Sequence, residues 1–169
     1  MSSSNTLKKI NVLFVCMANI CRSPTAHGVF QQIVDNHDLN DFIVVDSAGT
    51  YAHQIGKKPD ARAITAAAKR GYNLVGLRAR KVTDADFEIF DYILAMDDEN
   101  YADLTAQCRD EHKDKVRHFL EFATQAGVNE VPDPYYGGSQ GFETVLDLVE
   151  EASLGLLKHI KTTYLPNSN

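Results

Sequence analysis

Residues 10–24 read INVLFVCMANICRSP and contain an apolar run, a short turn and a proline. The run Ile10–Cys16 is almost continuously apolar, which predicts a strand buried on both faces of a parallel sheet. Ser23 followed by Pro24 is typical of a helix N-cap and the first helical position. We therefore predict a strand, a tight loop and a helix that ends near His37.

The rest of the chain alternates between strand-like and helix-like segments. Further strands are predicted at Phe42–Asp46, Tyr92–Met96 and Val116–Leu120, and further helices at about Pro59–Gly71, from Thr83, after Asp97 and at about Phe142–Thr163. Strands separated by helices indicate βαβ units. We predict an α/β fold of three layers, a four-stranded, mostly parallel, twisted sheet with helices on both faces. One domain would span residues 1–169, with its core at about 9–164.

Composition excludes several classes of function. The chain has 169 residues, of which 44% are hydrophobic, and its formal net charge is −6. Such a chain is not expected to bind nucleic acid, which attracts basic surfaces. No run approaches the roughly 20 apolar residues of a membrane span, and the first residues lack the apolar segment of a secretory signal. We therefore expect a cytoplasmic protein that binds neither nucleic acid nor membrane.

The three cysteines, Cys16, Cys21 and Cys108, are too few for a disulfide scaffold. The spacing of Cys16 and Cys21 does not suit zinc, and the histidines show no ligand-like clustering. We predict no metal and no cofactor. In a reducing compartment a cysteine is either buried or reactive. Cys16 is the reactive candidate, and an ordinary buried strand residue is the alternative.

The loop from Cys16 to Ser23 combines groups that bind phosphate. Amides at a helix N-terminus attract an anion, and Arg22 offers a planar pair of donors to two phosphate oxygens. The same positive surroundings favour a thiolate, the nucleophilic form of cysteine. Attack by Cys16 on a phosphate ester would give a cysteinyl phosphate. The predicted phosphate-binding loop after the nucleophile comprises Met17, Ala18, Asn19, Ile20, Cys21, Arg22 and Ser23.

Asp133 offers what the loop lacks, a proton donor for the departing oxygen. Pro134 restricts Asp133 to an extended conformation at a turn before the last helix. A turn aspartate without a catalytic role is the alternative. Tyr135 and Tyr136 follow directly, and they are either pocket residues or ordinary half-buried tyrosines.

Four segments carry a resemblance to a known family: Val15–Pro24, Asp46–Thr50, Phe90–Asp97 and Asp133–Gly137. With the surrounding chain from Lys9 to the last helix, they resemble the low-molecular-weight protein tyrosine phosphatases. The resemblance implies the strand order 2-1-3-4 and hydrolysis of phosphotyrosine in a protein. It implies that Cys16 is the nucleophile, that Arg22 binds the phosphoryl group, and that Asp133 is first the acid and then the base.

The resemblance also implies roles around the loop. Asn19 and Ser47 would shape the loop, and Ser23 would assist the departing thiolate. The walls of the pocket that encloses the substrate ring would be Ile20, His53, Tyr135 and Tyr136. Tyr51 is the alternative to His53.

Three positions depart from the family. Ala18 stands where glycine is common, and His27 stands where an acidic residue is common. Leu77 stands where eukaryotic members have a histidine that supports the loop asparagine, so we expect that support to be absent.

We also hypothesise a reversible disulfide between Cys16 and Cys21 that protects the nucleophile from over-oxidation. The alternative is that Cys21 is a packed thiol with no role in the reaction.

Three other functions remain open. A thiol-linked arsenate reductase of the same fold needs two further cysteines in relay, and only Cys108 lies beyond the loop. A protein-arginine phosphatase tends to have threonine at the position of Ile20, whereas isoleucine suits a phenyl ring. A catalytically inactive phosphoprotein-binding module is disfavoured because nucleophile, arginine and acid are all present.

The expected partners follow from the predicted reaction. They are a phosphotyrosine-containing protein, with a tyrosine kinase as one candidate, and phosphate or another oxyanion in the loop. We expect a monomer or a weak homodimer.

Overall fold

A parallel sheet forms the centre of the molecule. The computed structural model describes residues 8–135 and 138–165. The strands are β1 (Ile10–Cys16), β2 (Ile43–Gly49), β3 (Tyr92–Ala95) and β4 (Val116–His118). They lie in the order β2-β1-β3-β4, and every neighbouring pair is parallel. The predicted strand order is confirmed, and the carboxyl ends of the strands meet at one edge of the sheet.

Helices connect and cover the strands. They are α1 (Arg22–Asn36), α2 (Ala61–Lys69), α3 (Asp84–Ile89), α4 (Asp98–Gln107) and α5 (Gly138–Tyr164), with 3₁₀ helices at Asp110–Lys115 and Phe119–Phe122. The second 3₁₀ helix ends β4 at His118, two residues before the predicted end at Leu120. Among the described residues, none of the helices combines the length and the apolar composition of a membrane span.

Two apolar cores lie on opposite faces of the sheet, because side chains alternate along a strand. Val12 and Phe14 of β1 pack under α1, α2 and α5. Leu13 and Val15 pack with α3 and α4 on the other face. The Phe14 ring meets the Phe30 ring of α1 edge to face, with centroids 5.7 Å apart. The prediction of helices on both faces is confirmed.

Two helix starts follow their local sequence. Asp97 Oδ1 accepts the N–H of Asn100 at 2.8 Å and caps α4, as predicted. Thr83 and Asp86 form a capping box at α3. These caps explain why α3 and α4 begin where the sequence indicated.

Two other local predictions are wrong. The first helix begins at Arg22, with Cys21 as its N-cap, because the Ser23 hydroxyl is used inside the loop. The strand β2 continues through Ser47 to Gly49, past its predicted end at Asp46, because these residues pair in register with the end of β1. Gly49 then lies against the loop, where an added Cβ would be 2.7 Å from the carbonyl oxygen of Met17.

Candidate active site

The turn after β1 brings the Cys16 thiol under the first turn of α1. The side chain is 3% exposed. The sulfur lies 3.0 Å from Oγ of Ser23 and 3.4 Å from the Ser23 backbone nitrogen, whose N–H points at it. Asn19 has a φ of 59°, in the left-handed region that asparagine tolerates better than most residues. This conformation lets the loop wrap around the sulfur.

Ser23 links the sulfur to the rest of the loop. Its hydroxyl oxygen accepts the Nδ2–H of Asn19 at 2.8 Å. Its own proton can therefore be directed at Cys16 Sγ, 3.0 Å away, or at the carbonyl oxygen of Ala48, 3.4 Å away. A hydroxyl proton directed at sulfur stabilises the thiolate, which is the contribution that the resemblance assigns to Ser23.

Arg22 is fixed at the back of the loop. Its side chain is 4% exposed, and Nη1 donates to Oδ2 of Asp97 at 2.7 Å and to the carbonyl oxygen of Val131 at 3.0 Å. Burial alone lowers the pKa of Arg22, but the negative charges of Cys16, Asp97 and Asp133 outweigh it and raise the pKa. The guanidinium therefore stays charged and can bind an anion over the loop.

A cavity of about 240 Å³ opens above the loop. Its lining includes nine of the predicted site residues, which are Cys16, Met17, Ala18, Ile20, Cys21, Arg22, His53, Asp133 and Tyr135. His53 lines the cavity, and the Tyr51 ring packs beside it with centroids 6.2 Å apart. Tyr136 lies outside the described residues. The cavity is thus walled by Ile20 and aromatic rings above a buried thiol.

Asp133 stands at the mouth of the cavity. Its Oδ1 accepts the backbone N–H of Tyr135 at 3.0 Å, which holds the carboxyl group in an Asx turn. Pro134 is buried beneath it, so the turn is anchored. The position suits a group that exchanges protons with a substrate in the cavity.

Cys21 is the second thiol of the cavity. It is 6% exposed. Burial, reinforced by the charges of Asp60, Cys16 and Asp133, raises the pKa of Cys21 to about 12. In the resting enzyme the Cys21 thiol is therefore neutral at physiological pH.

The predicted supports of the loop have different partners. The Asn19 side-chain oxygen accepts the backbone N–H of Arg80 at 3.0 Å, whereas Leu77 packs against the apolar core. Leu77 has no side-chain donor, and the backbone N–H of Arg80 donates to the Asn19 side chain. Ser47 Oγ lies 3.0 Å from Nδ1 of His27, so the role of Ser47 in the loop stays a prediction.

His27 has a partner that the sequence did not reveal. Besides its contact with Ser47, it lies near Asp46 and Arg80. Burial, opposed by Asp46 and reinforced by Arg80, lowers the pKa of His27. The imidazole is thus held neutral behind the loop.

Sequence reasoning missed several contributors to the site. Gln54 lines the cavity, and Arg80 reaches the loop from another segment. Asp97 was predicted only as the cap of a helix, and that role does not indicate its contact with Arg22.

Across residues 8–135 and 138–165, no group of three or more His, Cys, Asp or Glu side chains could hold a metal ion.

The sequence of this chain is similar to those of known proteins. A family model described as "Low molecular weight phosphotyrosine protein phosphatase" matches residues 11–164. The chain belongs to this family. A low molecular weight phosphotyrosine protein phosphatase of Schizosaccharomyces pombe is 41% identical over 154 residues, which cover 90% of this chain and 98% of the relative. The family prediction made from the sequence is confirmed.

Solved structures share the whole fold of this family member. A protein tyrosine phosphatase from Entamoeba histolytica, with Hepes in the active site, matches with a TM-score of 0.89 and 39% identity, covering 92% of this chain and 99% of that one. A Drosophila arginine phosphatase matches with a TM-score of 0.82 and 30% identity, covering 89% and 98%. The fold therefore occurs in relatives named for two different phosphate linkages, and the choice between them rests on the pocket.

Proposed function

We propose that this phosphatase hydrolyses phosphotyrosine in protein substrates through a cysteinyl phosphate at Cys16. The observation that carries the proposal is the Cys16 sulfur, 3.0 Å from the Ser23 hydroxyl, beneath a cavity that Arg22 and Asp133 also line. Nucleophile, anion-binding cation and proton donor are the three groups that the reaction needs.

In the first step the Cys16 thiolate attacks phosphorus. The S–P bond forms as the bond from phosphorus to the phenolic oxygen breaks. Arg22 and the amides at the start of α1 hold the phosphoryl oxygens and stabilise their charge. Asp133 gives its proton to the departing phenolic oxygen, so tyrosine leaves as a neutral phenol.

In the second step water attacks the cysteinyl phosphate. The Asp133 carboxylate takes a proton from the water, the new O–P bond forms and the S–P bond breaks. Cys16 leaves as a thiolate, to which the Ser23 hydroxyl donates a hydrogen bond. Inorganic phosphate then departs, and both Asp133 and Cys16 are back in their starting states.

The walls of the cavity favour an aromatic substrate. Ile20 offers an apolar edge, while His53 and Tyr135 offer rings against which a phenyl group can pack. Phosphoarginine is the second candidate, because an arginine phosphatase shares the fold. A guanidinium is charged and polar, however, and Ile20 gives it no hydrogen-bond partner.

The remaining alternatives lack support in the described residues. Arsenate reduction needs a relay of further thiols, but Cys108 is buried in the core with α3 and α4, on the other face of the sheet. A binding module would not need Asp133 at the cavity mouth. The proposal therefore keeps a phosphoprotein substrate, with a tyrosine kinase as one candidate.

Conditions for the reaction follow from the thiol. Cys16, Cys21 and Cys108 are all free, and a cysteine nucleophile works best where thiols stay reduced. We place the enzyme in the cytoplasm, as a monomer or weak homodimer, with phosphate or another oxyanion as product and inhibitor in the loop.

Hydrolysis of three phosphopeptides tests the proposal. Phosphotyrosine, phosphoarginine and phosphoserine versions of one peptide are incubated with the enzyme in the presence of EDTA. We expect phosphotyrosine to react fastest, Cys16→Ser to abolish turnover and the matched control Cys108→Ser to retain it. Undiminished turnover by Cys16→Ser would refute the mechanism, and preference for phosphoarginine would refute the substrate class.

A further inference from the structure

Arg80 lies in an extended segment beside the end of β2. Its carbonyl oxygen accepts the N–H of Gly49 at 2.8 Å, and the N–H of Val82 donates to the carbonyl oxygen of Gly49 at 2.9 Å. These bonds place the N–H of Arg80 at the phosphate-binding loop, where it donates to Oδ1 of Asn19 at 3.0 Å. The backbone of Arg80 thus joins the sheet to the loop.

Two carboxylates fix the Arg80 side chain. Nε and Nη2 donate to Oδ2 of Asp46 at 3.2 and 3.0 Å, and Nη1 and Nη2 donate to Asp86 at 2.9 and 3.1 Å. Asp46 belongs to β2 and Asp86 to α3, so the guanidinium ties two elements together. The Asp86 side chain is 6% exposed. A planar fork of donors makes this double contact, which a lysine ammonium cannot reproduce.

Asn19 connects Arg80 to the Cys16 thiol through the Ser23 hydroxyl. Its Nδ2 donates to Oγ of Ser23 at 2.8 Å, and this oxygen lies 3.0 Å from Cys16 Sγ. With a φ of 59°, Asn19 is in a conformation that costs free energy and persists only when its surroundings hold it. The bond from Arg80 reaches Asn19 from outside the loop and supplies such a restraint.

We propose that Arg80 is a positioning residue for the nucleophile, acting through Asn19 and Ser23 on the hydrogen bond that Cys16 receives. The inference rests on the proposed function of Cys16. Without the guanidinium, the Arg80 segment and the Asn19 amide are less restrained, and the Ser23 proton faces sulfur less often. The step in which the thiolate leaves phosphorus then slows. The loop amides still bind the substrate, and because the breakdown of the cysteinyl phosphate is the step that slows, kcat and KM fall together while kcat/KM changes less than kcat does.

The same substitution at two arginines, Arg80 and Arg70, each of which forms ion pairs with more than one carboxylate, tests the inference. Arg80→Gln removes the fork. Arg70→Gln is the matched control, because Arg70 pairs with three carboxylates of α5 away from the loop. We expect kcat for p-nitrophenyl phosphate to fall about tenfold in Arg80→Gln and to stay within about twofold of the wild type in Arg70→Gln. Equal kcat values in the two variants would overturn the inference.

A double-mutant cycle tests whether the effect passes through Asn19. The variant carrying both Asn19→Ala and Arg80→Gln is expected to be no slower than Asn19→Ala, since the contact is already lost. Losses that multiply would overturn the inference. If thermal melting shows that Arg80→Gln is unfolded, Arg80→Lys replaces it in the same cycle.

Alkylation separates this inference from the proposed function. The rate at which iodoacetamide modifies Cys16 at mildly acidic pH is followed by mass spectrometry of the intact protein. We expect Arg80→Gln and Asn19→Ala to slow alkylation, and the double variant to slow it no further. If these variants slow alkylation but the wild-type protein hydrolyses no phosphate ester, the proposed function is wrong and the inference about Arg80 stands. Unchanged alkylation in an active enzyme would sink the inference alone.

Discussion

Replacing Ser23 by alanine removes the hydroxyl beside the nucleophile. The hydroxyl contacts Cys16 Sγ at 3.0 Å, whereas its contact with Ala48 is long, at 3.4 Å. A hydrogen bond to a charged group contributes about 1.5–3 kcal/mol. If that bond is made in full to the departing thiolate, its loss slows hydrolysis of the cysteinyl phosphate by about 10- to 150-fold. We therefore expect kcat of Ser23→Ala to fall within this range.

Stopped-flow release of p-nitrophenol measures this effect. Because Ser23→Ala slows the second step more than the first, a burst stoichiometric with the enzyme should precede a slow steady state. Ser153→Ala is the matched control, since Ser153 is fully buried and its hydroxyl has no partner within the described residues. A kcat of Ser23→Ala within about twofold of that control would refute the reasoning.

Three further predictions concern groups around the loop. Asp133→Asn should lower kcat by about 10²–10⁴-fold, and most for esters with poor leaving groups; equal losses across a series of aryl phosphates would contradict its role as acid. The folded-state pKa of His27 lies below its usual value of 6.5, so the unfolded chain binds more protons and the free energy of unfolding should fall as pH drops below about 6.5. His27→Gln should weaken that dependence in chemical denaturation, and an unchanged slope would exclude His27 as its source. After peroxide and then dithiothreitol, wild-type activity should return while Cys21→Ser stays inactive; equal recovery would reject the Cys16–Cys21 disulfide.

Local patterns were enough to predict much of the fold. The apolar run Ile10–Cys16 encodes a buried strand because six of its seven residues are buried. Asp97 encodes a helix start through its own side chain. Such signals depend on neighbouring residues alone. The extension of β2 to Gly49 was missed because it depends on pairing with β1, which no neighbouring residue reveals.

In the site, too, the residues that could be predicted are those whose roles depend on nearby sequence. Cys16 and Arg22 could be predicted together because both lie in one loop between a strand and a helix. The sequence misread Ser23 as a cap, since a serine before a proline has the same pattern whether its hydroxyl meets a backbone amide or a thiol. Arg80 was invisible because its contact with Asn19 joins residues 61 positions apart. Such contacts are created only when the sheet has formed.

Trapping the intermediate tests the central claim most directly. Asp133→Asn, which retains the nucleophile but lacks the base for the second step, is mixed with p-nitrophenyl phosphate and quenched rapidly with acid. Mass spectrometry of the digested protein should place one phosphoryl group on Cys16. Turnover with no phosphoryl group on Cys16, or with one on Cys21 or Cys108 instead, would contradict the account.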